Sequence, residues 1–138
     1  MRRQIVAGLH MAVAGIPWWT TDIGGFDFGN PDDPAFRELL VRWFQYGVFC
    51  GVPASRGRVF SSDAQEGMGY GGAPSGAPNE VWSYGEDVYE ILKKYLDIRL
   101  GMKDYIKSVM DEASENGSPV IRAMFYEFPE DGMCWDMR

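Results

Sequence analysis

A carboxylate at the end of an apolar, aromatic-rich run suits a sugar site, because aromatic faces pack on pyranose rings while the carboxylate accepts hydroxyl protons. Asp22 stands in this setting, behind Trp18 and Trp19 and ahead of Phe26. The residue types alone fit a second reading equally well, in which a strand-end Asp satisfies turn N–H groups. Trp18 and Trp19 face opposite sides of an extended segment, so at most one of them lines a given pocket. His10 is the single histidine, which removes any Ser/His/Asp triad not built around it. It reads as an ordinary helix residue. Asp32-Asp33 and Glu130-Asp131 are adjacent carboxylates, whereas a catalytic pair must face one cleft. Both pairs are expected to be solvated or to cap helices. Cys50 and Cys134 lie too far apart for a zinc motif and read as reduced, buried thiols.

The elements that must position Asp22 follow from periodicity. Ile5, Leu9 and Val13 recur at intervals of four, so residues 2–14 read as a helix that Gly15 stops. Ile16 to Ile23 is aromatic and β-branched and closes on Gly24-Gly25, the pattern of a buried strand with Asp22 at its C-terminal end. Asp33-Pro34 opens a second helix, with Phe36, Leu40 and Trp43 on one face and Gly47 at its end. The tract 51–79 is rich in Gly and Pro without apolar periodicity and reads as a long irregular loop. It lacks the Lys and helix context of a phosphate cradle. Ser83 and Glu86 have the spacing of a capping box. Val88, Leu92, Tyr95, Met102, Ile106, Val109 and Ala113 then form one stripe over two helices joined near Gly101. Asn116 to Pro119 is a stop, and Val120 to Phe128 reads as a second short strand.

This order predicts an α/β fold of parallel units, with too few strands to close a sheet on itself. The 138 residues and 46% hydrophobic content suit one packed region. A net charge of −7 leaves no basic surface for nucleic acid or anionic membrane, and both are excluded as partners. No run reaches the roughly 18 apolar residues of a membrane span. Met1-Arg2-Arg3 and the apolar residues to Pro17 imitate a secretory leader, but Gln4 and His10 interrupt the run.

The string Gly15-Ile16-Pro17-Trp18-Trp19-Thr20-Thr21-Asp22-Ile23-Gly24-Gly25-Phe26 resembles a late barrel strand of glycoside hydrolase family 31, particularly its α-xylosidase-like members. Arg42 to Phe49 resembles the helix that follows it, and Ser118 to Pro129 the barrel-terminal strand. The resemblance implies a partial (β/α)8 TIM barrel over residues 1–138, late strands and helices only. It further implies a retaining, exo-acting α-glycosidase as the parent enzyme, removing terminal α-linked xylose or glucose from an oligosaccharide without metal or organic cofactor. In such a mechanism one Asp attacks the anomeric carbon and a second protonates the leaving oxygen, at a separation of about 5 Å. The resemblance places both upstream of the residues present here, so no catalytic residue is assigned and the chain alone is expected to be inactive. The position matching Asp22 hydrogen-bonds the sugar in the subsite before the cleaved bond, and Phe26 matches the wall of that pocket. Trp19 is a further candidate for the wall. Two other classes of reading remain: a carbohydrate-binding module that stacks sugars on Trp18 and Trp19, and an open reading frame without a functional product.

The resemblance breaks straight after Cys50, where relatives continue Pro-Val-Phe-Arg-Leu-His-Gly. One coding of that string is CCG GTG TTC CGG CTT CAC GGG. Without its leading CC it reads Gly-Val-Pro-Ala-Ser-Arg, the residues Gly51 to Arg56. Residues 51–76 are therefore expected to be a frameshifted tract, with resemblance restored by Ala77-Pro78-Asn79-Glu80; the alternative is genuine divergence in a strand-end loop. Either way, the family's sugar-contacting Arg-x-His segment is absent from this chain.

Overall fold

The computed structural model describes residues 1–24, 29–51 and 80–135. Its helices are α1 (Arg2–Val13), α2 (Pro34–Gly47), α3 (Glu86–Gly101), α4 (Lys103–Asn116) and the short α5 (Met124–Glu127). A 3₁₀ turn, Gly132–Cys134, follows.

Local chemistry accounts for most of the helix ends. Asp33 accepts a hydrogen bond from Ala35 N–H at 2.9 Å, satisfying one of the free donors of α2, while Pro34 occupies the first helical position. Gly117 ends α4 with φ at 78°, in the left-handed region where a side chain is disfavoured. The capping box expected at α3 does not form. Gly85, at φ 96°, is the residue before the helix, and Ser83 bonds backward instead, accepting from Glu80 N–H at 3.1 Å and donating to the Glu80 carboxylate at 2.9 Å. A glycine free to take positive φ lets the chain enter α3 from a direction that carries Ser83 away from the helix end.

The core lies between α2 and α3. Leu40, Val41, Trp43 and Phe44 of α2 meet Tyr84, Val88 and Leu92, with Ile23 and Val48 completing the cluster. Leu40, Tyr84 and Leu92 are at most 1% exposed. Arg99 of α3 ties the far end. Its guanidinium donates to the carbonyls of Val48 at 2.6 Å, Cys50 at 2.7 Å and Gly51 at 3.2 Å, which lie just beyond the C-terminal end of α2.

The expected strands are corrected by the structure: among the described residues there is no β-strand. Residues 16–22 are irregular, Ile23 and Gly29 occupy isolated bridges, and the 120–128 segment turns into α5. One backbone hydrogen bond joins the two segments among the described residues, from Val120 N–H to the Pro17 carbonyl at 3.1 Å. Strand geometry is maintained by ladders on both sides, and a parallel pair is the weaker kind. Among the described residues a single contact joins the two segments and no flanking strand supports either one, and Met124 to Glu127 closes its own hydrogen bonds in a helical turn.

Candidate functional site

The segment carrying Asp22 is pinned at both ends by glycine. On α1, a Cβ at Gly8 would lie 2.7 Å from Trp19 Cδ1 and 3.0 Å from the Tyr46 hydroxyl, so only glycine lets the indole edge and the phenol converge on the helix. At the other end Gly24 turns at φ +84° against Phe36 and Leu40. Between them Ile23 is 5% exposed and belongs to the core cluster.

Trp19 and Ile23 are packed on the helices. Ile16 is 45% and Trp18 49% exposed, whereas Trp19, Thr20, Thr21 and Asp22 are all partly buried. Asp22 stands two positions before the turn at Gly24. Trp19, the other tryptophan of the pair, has its indole N–H buried without a hydrogen-bond partner, as is the Thr20 hydroxyl. Phe26 falls outside the described residues, as does nearly all of the tract 51–76. Which tryptophan faces the helices depends on Gly8, more than ten residues away along the chain.

The remaining titratable groups have structural employment. Asp33 caps α2, and Asp131 caps the 3₁₀ turn by accepting from Met133 N–H at 2.9 Å. His10 lies on a shallow apolar groove with Val6, Leu9, Val13, Ala123 and Phe125. Both cysteines are free. Burial pushes the Cys50 thiol up, against the opposing influence of Tyr46 and Arg99, and pushes the Tyr46 hydroxyl up to about 12, with Cys50 adding to the shift. Neither is a nucleophile near neutral pH.

A larger cleft of about 490 Å³ lies between α4 and the 120–128 segment, lined by Phe49, Tyr105, Ile106, Val109, Arg122 and Phe128 among others. Arg122 is engaged by two carboxylates, with Glu112 gripping it at 3.1 and 3.2 Å and Glu127 at 2.8 Å, and it also lies over the Tyr126 ring. The guanidinium holds the Glu112 carboxyl below its usual range. An arginine so neutralised is a staple between α4 and the following segment and has no charge left for an anionic ligand. Among the described residues no group of three His, Cys, Asp or Glu side chains could hold a metal ion.

Comparison with known proteins places this geometry. The family model for the glycosyl hydrolases family 31 TIM-barrel domain matches residues 1–109. A family 31 α-xylosidase from a soil metagenome, crystallised with xylose, superposes with a TM-score of 0.87 at 47% identity, over 99% of this chain and 21% of that one. An α-xylosidase of Saccharolobus solfataricus is 33% identical over 136 residues, 99% of this chain and 16% of the relative. An uncharacterized family 31 glucosidase of Pseudescherichia vulneris is 71% identical over 51 residues, 37% of this chain and 10% of the relative. The chain thus spans between about a sixth and about a fifth of the two relatives it matches over nearly its whole length.

Proposed function

The chain belongs to glycosyl hydrolase family 31, matching that family's TIM-barrel domain, and on that premise we propose that it is a late portion of a partial (β/α)8 barrel from a retaining, exo-acting α-glycosidase. Its substrate would be an oligosaccharide ending in α-linked xylose or glucose. The observation that carries the reading is Asp22, half-buried after the Trp18-Trp19 pair and two positions before the turn at Gly24. Carboxylates at strand ends are where barrel enzymes bind and transform substrates. In this reading Asp22 accepts hydrogen bonds from sugar hydroxyls and Phe26 forms part of the pocket wall. Trp19, the third candidate for the wall, has its indole edge on Gly8 and so fixes the segment from behind. The nucleophilic and acid/base carboxylates would come from other parts of the barrel, and the 138-residue chain by itself would be inactive.

The test is a chimera in which residues 1–50 and 77–138 of this chain replace their matched stretches in the soil-metagenome α-xylosidase, which keeps its own residues in place of 51–76. Hydrolysis of an aryl α-xyloside is expected from the chimera and none from the isolated chain. Asp22→Asn in the chimera should lower kcat/KM by about 2 to 4 kcal/mol, the scale of a lost charged hydrogen bond to the substrate. Turnover by the isolated chain that Asp22→Asn abolishes, or an unchanged kcat/KM in the chimera variant, refutes the assignment.

A further inference from the structure

We infer that Asn116-Gly117, at the C-terminal end of α4, is a site of spontaneous deamidation gated by the last turn of that helix, and that the reaction loosens α4 from the 118–123 segment. The chain has three asparagines, and the chemistry singles out this one. In deamidation the backbone nitrogen of the following residue attacks the side-chain amide carbon. Asn30 precedes Pro31, whose nitrogen has no hydrogen to give up, and Asn79 precedes Glu80, whose side chain crowds the approach. Gly117 has no side chain, and a Cβ built there would meet nothing within 4 Å.

Asn116 and Gly117 are both exposed. The Asn116 side-chain oxygen already accepts a hydrogen bond from Ser118 N–H at 2.9 Å. That bond draws electron density from the amide carbon and stabilises the negative charge that gathers on the oxygen during attack. The Gly117 N–H, in contrast, donates to the Ala113 carbonyl at 3.1 Å, the bond that caps α4. It must open before the nitrogen can turn to the side chain, and helix ends open more readily than helix centres. The reaction then balances with water alone. A bond forms between Gly117 N and Asn116 Cγ, the Gly117 proton leaves with the amide nitrogen as ammonia, and a cyclic imide remains. Water adds to either of its carbonyls, and the ring opens to an aspartyl or an isoaspartyl residue.

Either product disturbs the junction. The new carboxylate stands four positions after Glu112 and next to Glu115, at a helix end whose last turn has no basic residue. Like charges at that spacing repel, and the helix dipole disfavours an anion there. The isoaspartyl form also routes the main chain through the side chain, adding a methylene between α4 and the 118–123 segment. Glu112 and Arg122, which pair at 3.1 and 3.2 Å across this junction, then lose their register.

The experiment incubates the full chain at mildly alkaline pH, with and without unfolding urea. Peptide mass spectrometry and methylation by an isoaspartyl-specific methyltransferase locate the product. The expected result is conversion at position 116 in the folded chain, abolished by Asn116→Gln. Conversion should be at least about fivefold faster in urea, the scale of one net backbone hydrogen bond. The folded product, separated by ion exchange, should exchange the Val120 amide faster than the parent chain. An unmodified position 116 in the folded chain would overturn the site, equal rates with and without urea would overturn the gate, and unchanged exchange at Val120 would overturn the loosening. None of these outcomes depends on glycosidase activity.

Discussion

Replacing Arg99 by methionine keeps most of the side chain's apolar stem and removes every donor. Three carbonyls, those of Val48, Cys50 and Gly51, then lose a charged partner at 2.6, 2.7 and 3.2 Å. Hydrogen bonds to charged groups contribute about 1.5 to 3 kcal/mol each when well made. The site is only partly buried, so water re-satisfies some of these acceptors, and the longest bond counts for little. A cation at a helix C-terminus adds about 0.3 to 1 kcal/mol. The expected loss is about 2 to 4 kcal/mol. With a urea dependence of about 1 to 2 kcal/mol per molar for a chain of this size, the midpoint of the helical circular dichroism signal should fall by about 1 to 4 M. Arg99→Lys should fall between the two, because an ammonium retains the charge but cannot spread donors over three carbonyls. If Arg99→Met and the parent chain unfold at the same urea concentration, the clamp contributes nothing and the account of how α2 is terminated is wrong.

Gly8→Val should force the Trp19 indole and the Tyr46 hydroxyl off α1, since even a Cβ there lies 2.7 Å from the ring. Overpacking of this kind costs about 1 to 3 kcal/mol, and a red-shifted tryptophan emission would report it. Glu112 has its carboxyl held low by Arg122, so the ion pair stabilises the attachment of α4 to the 118–123 segment above the ordinary carboxylate range and the effect is lost as pH falls through the folded value. Amide exchange around Val120 should therefore quicken on acidification in the parent chain, and Glu112→Gln should remove that pH dependence. Independent sequencing of the source DNA should show that residues 51–76 are read out of frame and that another frame encodes the Arg-x-His segment; codons confirmed in frame, with no such segment in the others, would reject the idea.

Whatever depended on neighbours in sequence could be read directly. Asp33-Pro34 capped α2 as expected, Leu40 and Trp43 turned to the core, and Gly117 stopped α4. Ser83 and Glu86 had the right spacing for a cap, but Gly85 redirected the chain between them. Ile16–Ile23 and Val120–Phe128 have the composition of strands, yet composition cannot supply the flanking ladders that keep a strand extended. Asp22 was visible as a candidate because it ends an aromatic run. That Trp19 and Ile23 face the helices became legible only in the structure, through Gly8 and the core cluster. Arg99 carried no signal, since its acceptors are backbone groups about 50 positions away in the chain.

The pairing of α2 with α3 closes a loop through the chain from Gly51 to Glu80. Loop-closure entropy grows only logarithmically, with each doubling of length costing about 0.6 kcal/mol, and it is indifferent to which residues fill the loop. The helix pair is sealed at one mouth of that loop by Arg99 and at the other by the turn in which Ser83 bonds Glu80. Both of those ties lie outside the intervening tract, so lengthening the tract would add little to the cost of bringing α2 and α3 together.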